Sequence, residues 1–99
     1  MAHQIEYSPE AAAHLRALTA HQRKTVLDSV DRQLTHLPTR ETRNRKPMRP
    51  NQLAPWELRV GNLRVYYDVQ EHPRPLVIVL AVGLKLRNRV RIGDEEIQL

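Results

Sequence analysis

Between Trp56 and Asp68, apolar and polar side chains alternate on both sides of Gly61 and Asn62. A period of two predicts half-buried strands, and a Gly-Asn pair between two such runs predicts a two-residue hairpin loop. In that register Val60 faces Leu63, Leu58 faces Val65 and Trp56 faces Tyr67, all on one side of the ribbon. The other side brings Arg59 opposite Arg64 and Glu57 opposite Tyr66. Leu76 to Val82 is apolar at every position, which predicts an interior strand covered on both faces. Lys85 to Ile92 alternates again, as a strand or extended tail. Lys85, Arg87, Arg89 and Arg91 fall on one side and Leu86, Val90 and Ile92 on the other. Gly93 and Asp94 mark a turn, and Glu95 to Leu99 forms a last short strand or frays.

The N-terminal half is spaced for helices. After a short strand at Gln4 to Tyr7, Ser8 is placed as an N-cap, Pro9 at the first helical position and Glu10 in the first turn. Ala11, Leu15 and Leu18 share one face of that helix. Thr19 caps a second, longer helix in which Val26, Leu27, Val30, Leu34 and Leu37 recur at helical spacing until Pro38 stops it. Thr39 to Pro55 keeps no period and holds Pro47, Pro50 and Pro55, so it reads as a functional loop inside the domain. The order β-α-α-β-β-β predicts an α+β fold, two N-terminal helices packed on one face of a small antiparallel sheet. At 99 residues the chain, 1–99, is expected to form a single domain.

Charge adds a location. The net charge is +5, but it is unevenly placed. Arg40, Arg43, Arg45, Lys46, Arg49, Arg59 and Arg64 stand against only Glu41 and Glu57, and Lys85, Arg87, Arg89 and Arg91 follow with no acid between them. A basic stripe on a mildly acidic body suits a polyanion, nucleic acid above all; an acidic protein partner or a solvated face fits the same charges. The opposed Arg59 and Arg64 sharpen this. Like charges directly across an antiparallel pair repel, so either an anion such as phosphate sits between them or Glu57 bridges them as a surface ion-pair cluster. Trp56 and Tyr67 belong on the apolar face as core, whereas Tyr66, on the arginine face, is the candidate for stacking on a base.

With no cysteine, disulfides, thiolate metal sites and cysteine nucleophiles are excluded. His3, His14, His21, His36 and His72 lie on separate elements without ligand spacing, so no metal or other cofactor is expected. The start of the chain lacks the pattern of a secretion signal, and no apolar run approaches the ~20 residues of a spanning helix. A cytoplasmic location without membrane contact is the resulting expectation.

Taken together, these stretches resemble the RelE/ParE superfamily of bacterial type II toxins over nearly the whole chain. The resemblance is carried by Tyr7-Ser8-Pro9-Glu10-Ala11, by the long helix ending at Leu34, Leu37 and Pro38, and by Lys46 in the basic loop. Trp56 to Gly61, Leu63 to Asp68, and the strand ending Val82-Gly83-Leu84-Lys85 with Arg87 complete it. It implies a compact toxin held by a cognate antitoxin in a hetero-oligomer. For RelE-like members it implies an endoribonuclease that cuts mRNA on the ribosome without a metal, the ribose 2′-hydroxyl attacking its adjacent phosphate. Under that resemblance Arg64 and Lys85 match the family's transition-state cations, with Arg59 assisting. Lys46, with Arg43, Arg45 and Arg49, would grip RNA backbone, and Arg87, Arg89 and Arg91 would bind RNA or an acidic antitoxin segment.

The chain departs from the family pattern in two places. Pro55 and Glu57 stand where some RelE members carry lysines, and Arg91 stands where many place a tyrosine or histidine. Proton transfer then falls to Glu57 as general base, on the same face as the arginines. The missing aromatic group also keeps open a ParE-like inhibitor of DNA gyrase without nuclease activity, or a non-catalytic RNA-binding relative.

Overall fold

The structure, a computed structural model, describes residues 2–98. Met1 and Leu99 lie outside the described residues, and with Leu99 the end of the expected C-terminal strand. The elements run β1 (Gln4–Tyr7), α1 (Pro9–Arg16), α2 (Ala20–Leu34), β2 (Arg45–Pro47), β3 (Trp56–Val60), β4 (Leu63–Gln70), β5 (Leu76–Leu86), β6 (Arg89–Ile92) and β7 (Glu95–Ile97). Both helices start where their caps predict. Ser8 Oγ accepts from the Ala11 N–H at 3.0 Å. Thr19 and Gln22 form a reciprocal capping box, each side chain accepting from the other's N–H at 3.1 and 3.0 Å.

The second helix is shorter than its spacing suggests. It ends at Leu34; Leu37 takes a φ of 51° and is 60% exposed, so it turns the chain outward instead of extending the apolar face. Leu27, expected on that face, is exposed as well. The remaining apolar positions, Ala11, Leu15, Val26, Val30 and Leu34, pack against Leu58, Val65, Tyr67, Val77, Val79 and Val82 of the sheet. Trp56 stacks on Tyr67 with ring centroids 6.2 Å apart, and the Tyr67 hydroxyl donates to the Pro38 carbonyl at 2.7 Å. The fully buried valines and leucines of this layer each contribute about 1.5–3 kcal/mol of transfer free energy.

The β3–β4 hairpin has the predicted register, Val60 opposite Leu63 through Trp56 opposite Tyr67. Gly61 takes the left-handed φ of 58° that its turn demands. The sheet runs β2-β3-β4-β5-β6-β7, every pair antiparallel, with β1 added to β5 in parallel. The segment expected as an irregular loop thus supplies an edge strand, β2, through Arg45 to Pro47. The basic C-terminal stretch is not one strand either. It folds into a second tight hairpin, β5 turning at Arg87 and Asn88 into β6.

Along one edge β5 serves two strands. Gln4–Tyr7 pair with Leu76–Val79, and Arg89–Ile92 pair with Gly83–Leu86. Between them a bulge sets Tyr66 against Ala81 but Tyr67 against Val79, leaving Leu80 as the extra residue. Side chains satisfy the backbone in this gap: Ser8 Oγ donates to the Leu80 carbonyl at 3.2 Å, and the Val82 N–H donates to His14 Nδ1 at 3.3 Å. His14 must be neutral to accept there. Burial lowers its pKa below the ordinary 6.5, against a smaller upward pull from Glu10.

A folded-state pKa below the unfolded one gives stability that is complete above the unfolded value and lost as pH falls through the folded value. Stability measured by urea unfolding is therefore expected to decline as pH falls through the ordinary histidine value of 6.5 towards the lower folded-state value, and His14→Gln, which keeps an acceptor that does not titrate, to flatten that decline. An unchanged slope in the variant would rule out His14 as its source.

Candidate functional site

Across the face turned away from the helices, strand register sets side chains in rows. One row runs Lys46, Glu57, Tyr66, Ala81 across β2 to β5, and the next runs Arg59, Arg64, Gly83, Ile92 across β3 to β6. Lys85, opposite Val90, stands one step beyond. Gly83 is required in that row: a Cβ there would meet Val90 Cγ1 at 2.6 Å and the Arg91 carbonyl at 2.8 Å, so any side chain would push β6 away. The rows open into a cleft of about 530 Å³ in which Lys46, Arg49, Glu57, Arg59, Arg64, Lys85 and Asn88 meet. Arg43 lies beside it, sharing a smaller concavity with Arg59 and Arg64.

The cations in the cleft far outnumber its acids. Glu57, its side chain only 12% exposed, accepts from Arg59 Nε at 2.8 Å. Lys46 Nζ lies 3.5 Å from Glu41 at the rim. Arg64 turns Nη1 onto the Gly61 and Leu63 carbonyls at 2.8 and 2.9 Å, which fixes its guanidinium against the hairpin turn without neutralising it. Among the described residues no ion pair engages Arg43, Arg49, Arg64 or Lys85. Glu57 thus bridges to one arginine only. Such a concentration of uncompensated charge in a concave site is electrostatically suited to anions.

One wall of the cleft is a loop held by a single side chain. Asn51 Oδ1 accepts from the Leu53 and Ala54 N–H groups at 2.7 and 3.1 Å, while its Nδ2 donates to the Arg49 and Ala54 carbonyls at 2.7 and 3.0 Å. The clipped loop lays Met48, Leu53 and Ala54 over Tyr66, Leu80, Ala81, Val90 and Ile92, making a second small core on the open face. Asn51 and Asn88 were not singled out in the sequence; their only signal is that both lie at turns.

Several expected contacts are overturned. Tyr66 is on the arginine face as expected, but it has no exposed surface and cannot stack on a base, because the 48–54 loop covers it. Its hydroxyl is buried beside Glu57 without a hydrogen bond of ordinary geometry. Burial first, and then the Glu57 charge, raise its pKa, so it stays protonated. Arg45 pairs with Leu58 on the helix side; its Nη1 donates to the Gln33 and His36 carbonyls at 2.6 and 3.3 Å, closing the end of α2. Arg87, Arg89 and Arg91 do not share a side with Lys85. Arg87 is exposed in the turn with φ 49°, while Arg89 and Arg91 lie opposite Leu86 and Leu84 on the other face, Arg89 paired with Glu96 at 3.4 Å. Among the described residues no three His, Cys, Asp or Glu side chains gather as metal ligands, and no helix is long and apolar enough to cross a membrane.

Two neighbouring cations should therefore respond differently to removal. Arg45→Ala is expected to cost about 1.5–3 kcal/mol in urea unfolding, the range for charge-assisted hydrogen bonds. Arg49→Ala, on the exposed loop, is expected to stay within about 0.5 kcal/mol of the parent. Equal stability of the two variants would contradict the helix-closing role of Arg45.

Comparison with known proteins bears on the family and the fold. The family model for the ParE toxin of the type II toxin-antitoxin system, parDE, matches residues 5–89. No curated protein matches the chain. Among solved structures, the fold is similar to a chain in the crystal structure of the toxin-antitoxin complex RelBE2 from Mycobacterium tuberculosis. That similarity has a TM-score of 0.74 at 20% identity and covers 86% of this chain and 93% of that one. With the family match running from β1 through β5 and including both helices and the charged residues of the cleft, the chain belongs to the ParE toxin family of the RelE/ParE superfamily and is a toxin of a type II toxin–antitoxin system.

Proposed function

We propose that the cleft is the active site of a metal-independent endoribonuclease that cuts mRNA presented by the ribosome, and that a cognate antitoxin neutralises it in a hetero-oligomer. The observation that carries this reading is the company Glu57 keeps: a carboxylate 2.8 Å from Arg59, in one cleft with Arg64 and Lys85, which pair with no acid among the described residues. In-line attack of a ribose 2′-hydroxyl on its own phosphate forms the O2′–P bond and breaks the P–O5′ bond. Glu57 accepts the 2′-hydroxyl proton, solvent returns one to the leaving 5′-oxygen, and the products end in a 2′,3′-cyclic phosphate and a free 5′-hydroxyl. Arg59, Arg64 and Lys85 hold the added charge of the phosphorane. Arg43, Lys46 and Arg49 hold the flanking backbone. An antitoxin laying an acidic segment on this face, or adding a strand or helix beside it, would block the cleft and satisfy its charges together.

The family match favours a second reading, inhibition of DNA gyrase with no cut in RNA, because the matching model is that of ParE toxins. Arg91 stands on the far face, away from Lys85, and among the described residues β6 brings only the apolar Val90 to the cleft.

Primer extension on messages from cells expressing the toxin separates the two. Discrete cuts within translated codons are expected, with Glu57→Gln lowering cleavage by about 10²–10⁴-fold and Arg64→Ala by about 10²–10³-fold while the domain stays folded. Intact messages with an SOS response would establish the gyrase reading instead. A fully toxic Arg64→Ala would remove Arg64 from the site.

A further inference from the structure

We propose that this cleft grips single-stranded RNA by its phosphates and is blind to the bases, so that the toxin carries no sequence preference of its own. The inference rests on reading the cleft as an RNA site and concerns what that site recognises.

Base recognition needs aromatic faces to stack on, amides and carboxylates to read base edges, or an arginine or lysine free to donate to the O6 and N7 of guanine. The chain has one Trp, three Tyr and no Phe, and each ring is already used. Tyr66 and Tyr67 have no exposed surface, Trp56 lies on Tyr67, and Trp56 and Tyr7 both pack against the helix-side core. The amide of Asn51 spends both its ends on its own loop. Glu57 is held by Arg59. Of the polar neutral side chains in the cleft, that leaves Asn88, at the tip of the β5–β6 turn.

What the cleft does offer is cations: Lys46, Arg49, Arg59, Arg64 and Lys85. Ammonium and guanidinium groups match phosphate oxygens, and a guanidinium plane laid on a base accepts any of them, since every base has a π-face. Guanine alone offers cations an edge to read, and Arg59 and Arg64 already spend donors on Glu57 and on the hairpin carbonyls. Phosphate contacts fix register along a strand without carrying sequence information. Where the cut falls is then decided by whatever presents the strand to the toxin.

Fluorescence anisotropy with labelled 2′-O-methyl strands about twelve nucleotides long tests this. The strands are U-only, A-only, C-only and alternating GU, and the modification prevents cleavage by 2′-hydroxyl attack. Dissociation constants within about fivefold of one another are expected, with a log–log salt slope near −0.7 per phosphate held. Arg49→Ala should weaken every strand by the same factor and make the slope shallower by about 0.7. Asn88→Ala should leave the ratios between strands unchanged. A preference above about fivefold for one strand, ratios that shift in Asn88→Ala, or no binding at low salt would overturn the proposal. Because these strands cannot be cut, the outcome is independent of nuclease activity. Uniform binding without cleavage would remove the proposed function and keep this inference; selective binding with cleavage would do the reverse.

Discussion

Strand β5 is the constraint on which the rest of the molecule depends. Its inner edge holds β4 over eight register pairs, and its other edge is divided between β1 and β6. The division works only because the bulge at Leu80 interrupts the ladder and because Ser8 and His14 take over the backbone groups left between the two strands. The same bulge turns an additional apolar residue toward the open face, where the 48–54 loop needs something to rest on. Loop, bulge and helix cap are therefore one arrangement. The loop carries Arg49 and the wall of the cleft, while the end of β5 carries Lys85.

Much of this was legible because alternation is a strong signal when a turn residue announces where it reverses. Gly61 and Asn62 fixed the β3–β4 register, and with it the placement of Glu57, Arg59 and Arg64 on one face and Leu58, Val65 and Tyr67 on the other. The C-terminal hairpin shows the opposite case. A two-residue loop puts residues five apart on the same side, so Lys85 shares a face with Val90, whereas a continuous strand would align it with Arg87, Arg89 and Arg91. Only Asn88 hinted at the reversal, since Arg87 is an unusual residue for a left-handed φ. Tyr66 and Arg45 were misjudged for another reason. What surrounds them is brought by tertiary packing, the covering loop in one case and the end of α2 in the other, and neither leaves a periodic trace.

Functionally, the fold keeps its two faces for two tasks. The helix side is a conventional apolar layer at whose edges Arg23 and Arg45 are each spent on backbone carbonyls at a helix end. The open side is apolar under the loop, carries Asp68 beyond it, and on the other side of the loop forms a basin of fixed charge with Glu57 at its floor. Concentrating like charges on one sheet face costs stability that the remaining contacts must offset, and that cost falls when an anion binds. In this account a polyanionic substrate and an acidic inhibitor compete for the same relief.

Whether this charge holds a phosphate backbone is read most directly by ¹H–¹⁵N NMR during titration with an uncleavable single-stranded RNA. Arg49, Arg59, Arg64, Lys85 and Asn88 are expected to shift together and saturably, while α1, α2 and β7 stay in place. Shifts centred on the helices or on Arg89 and Arg91, with the cleft residues unmoved, would contradict a phosphate-binding cleft.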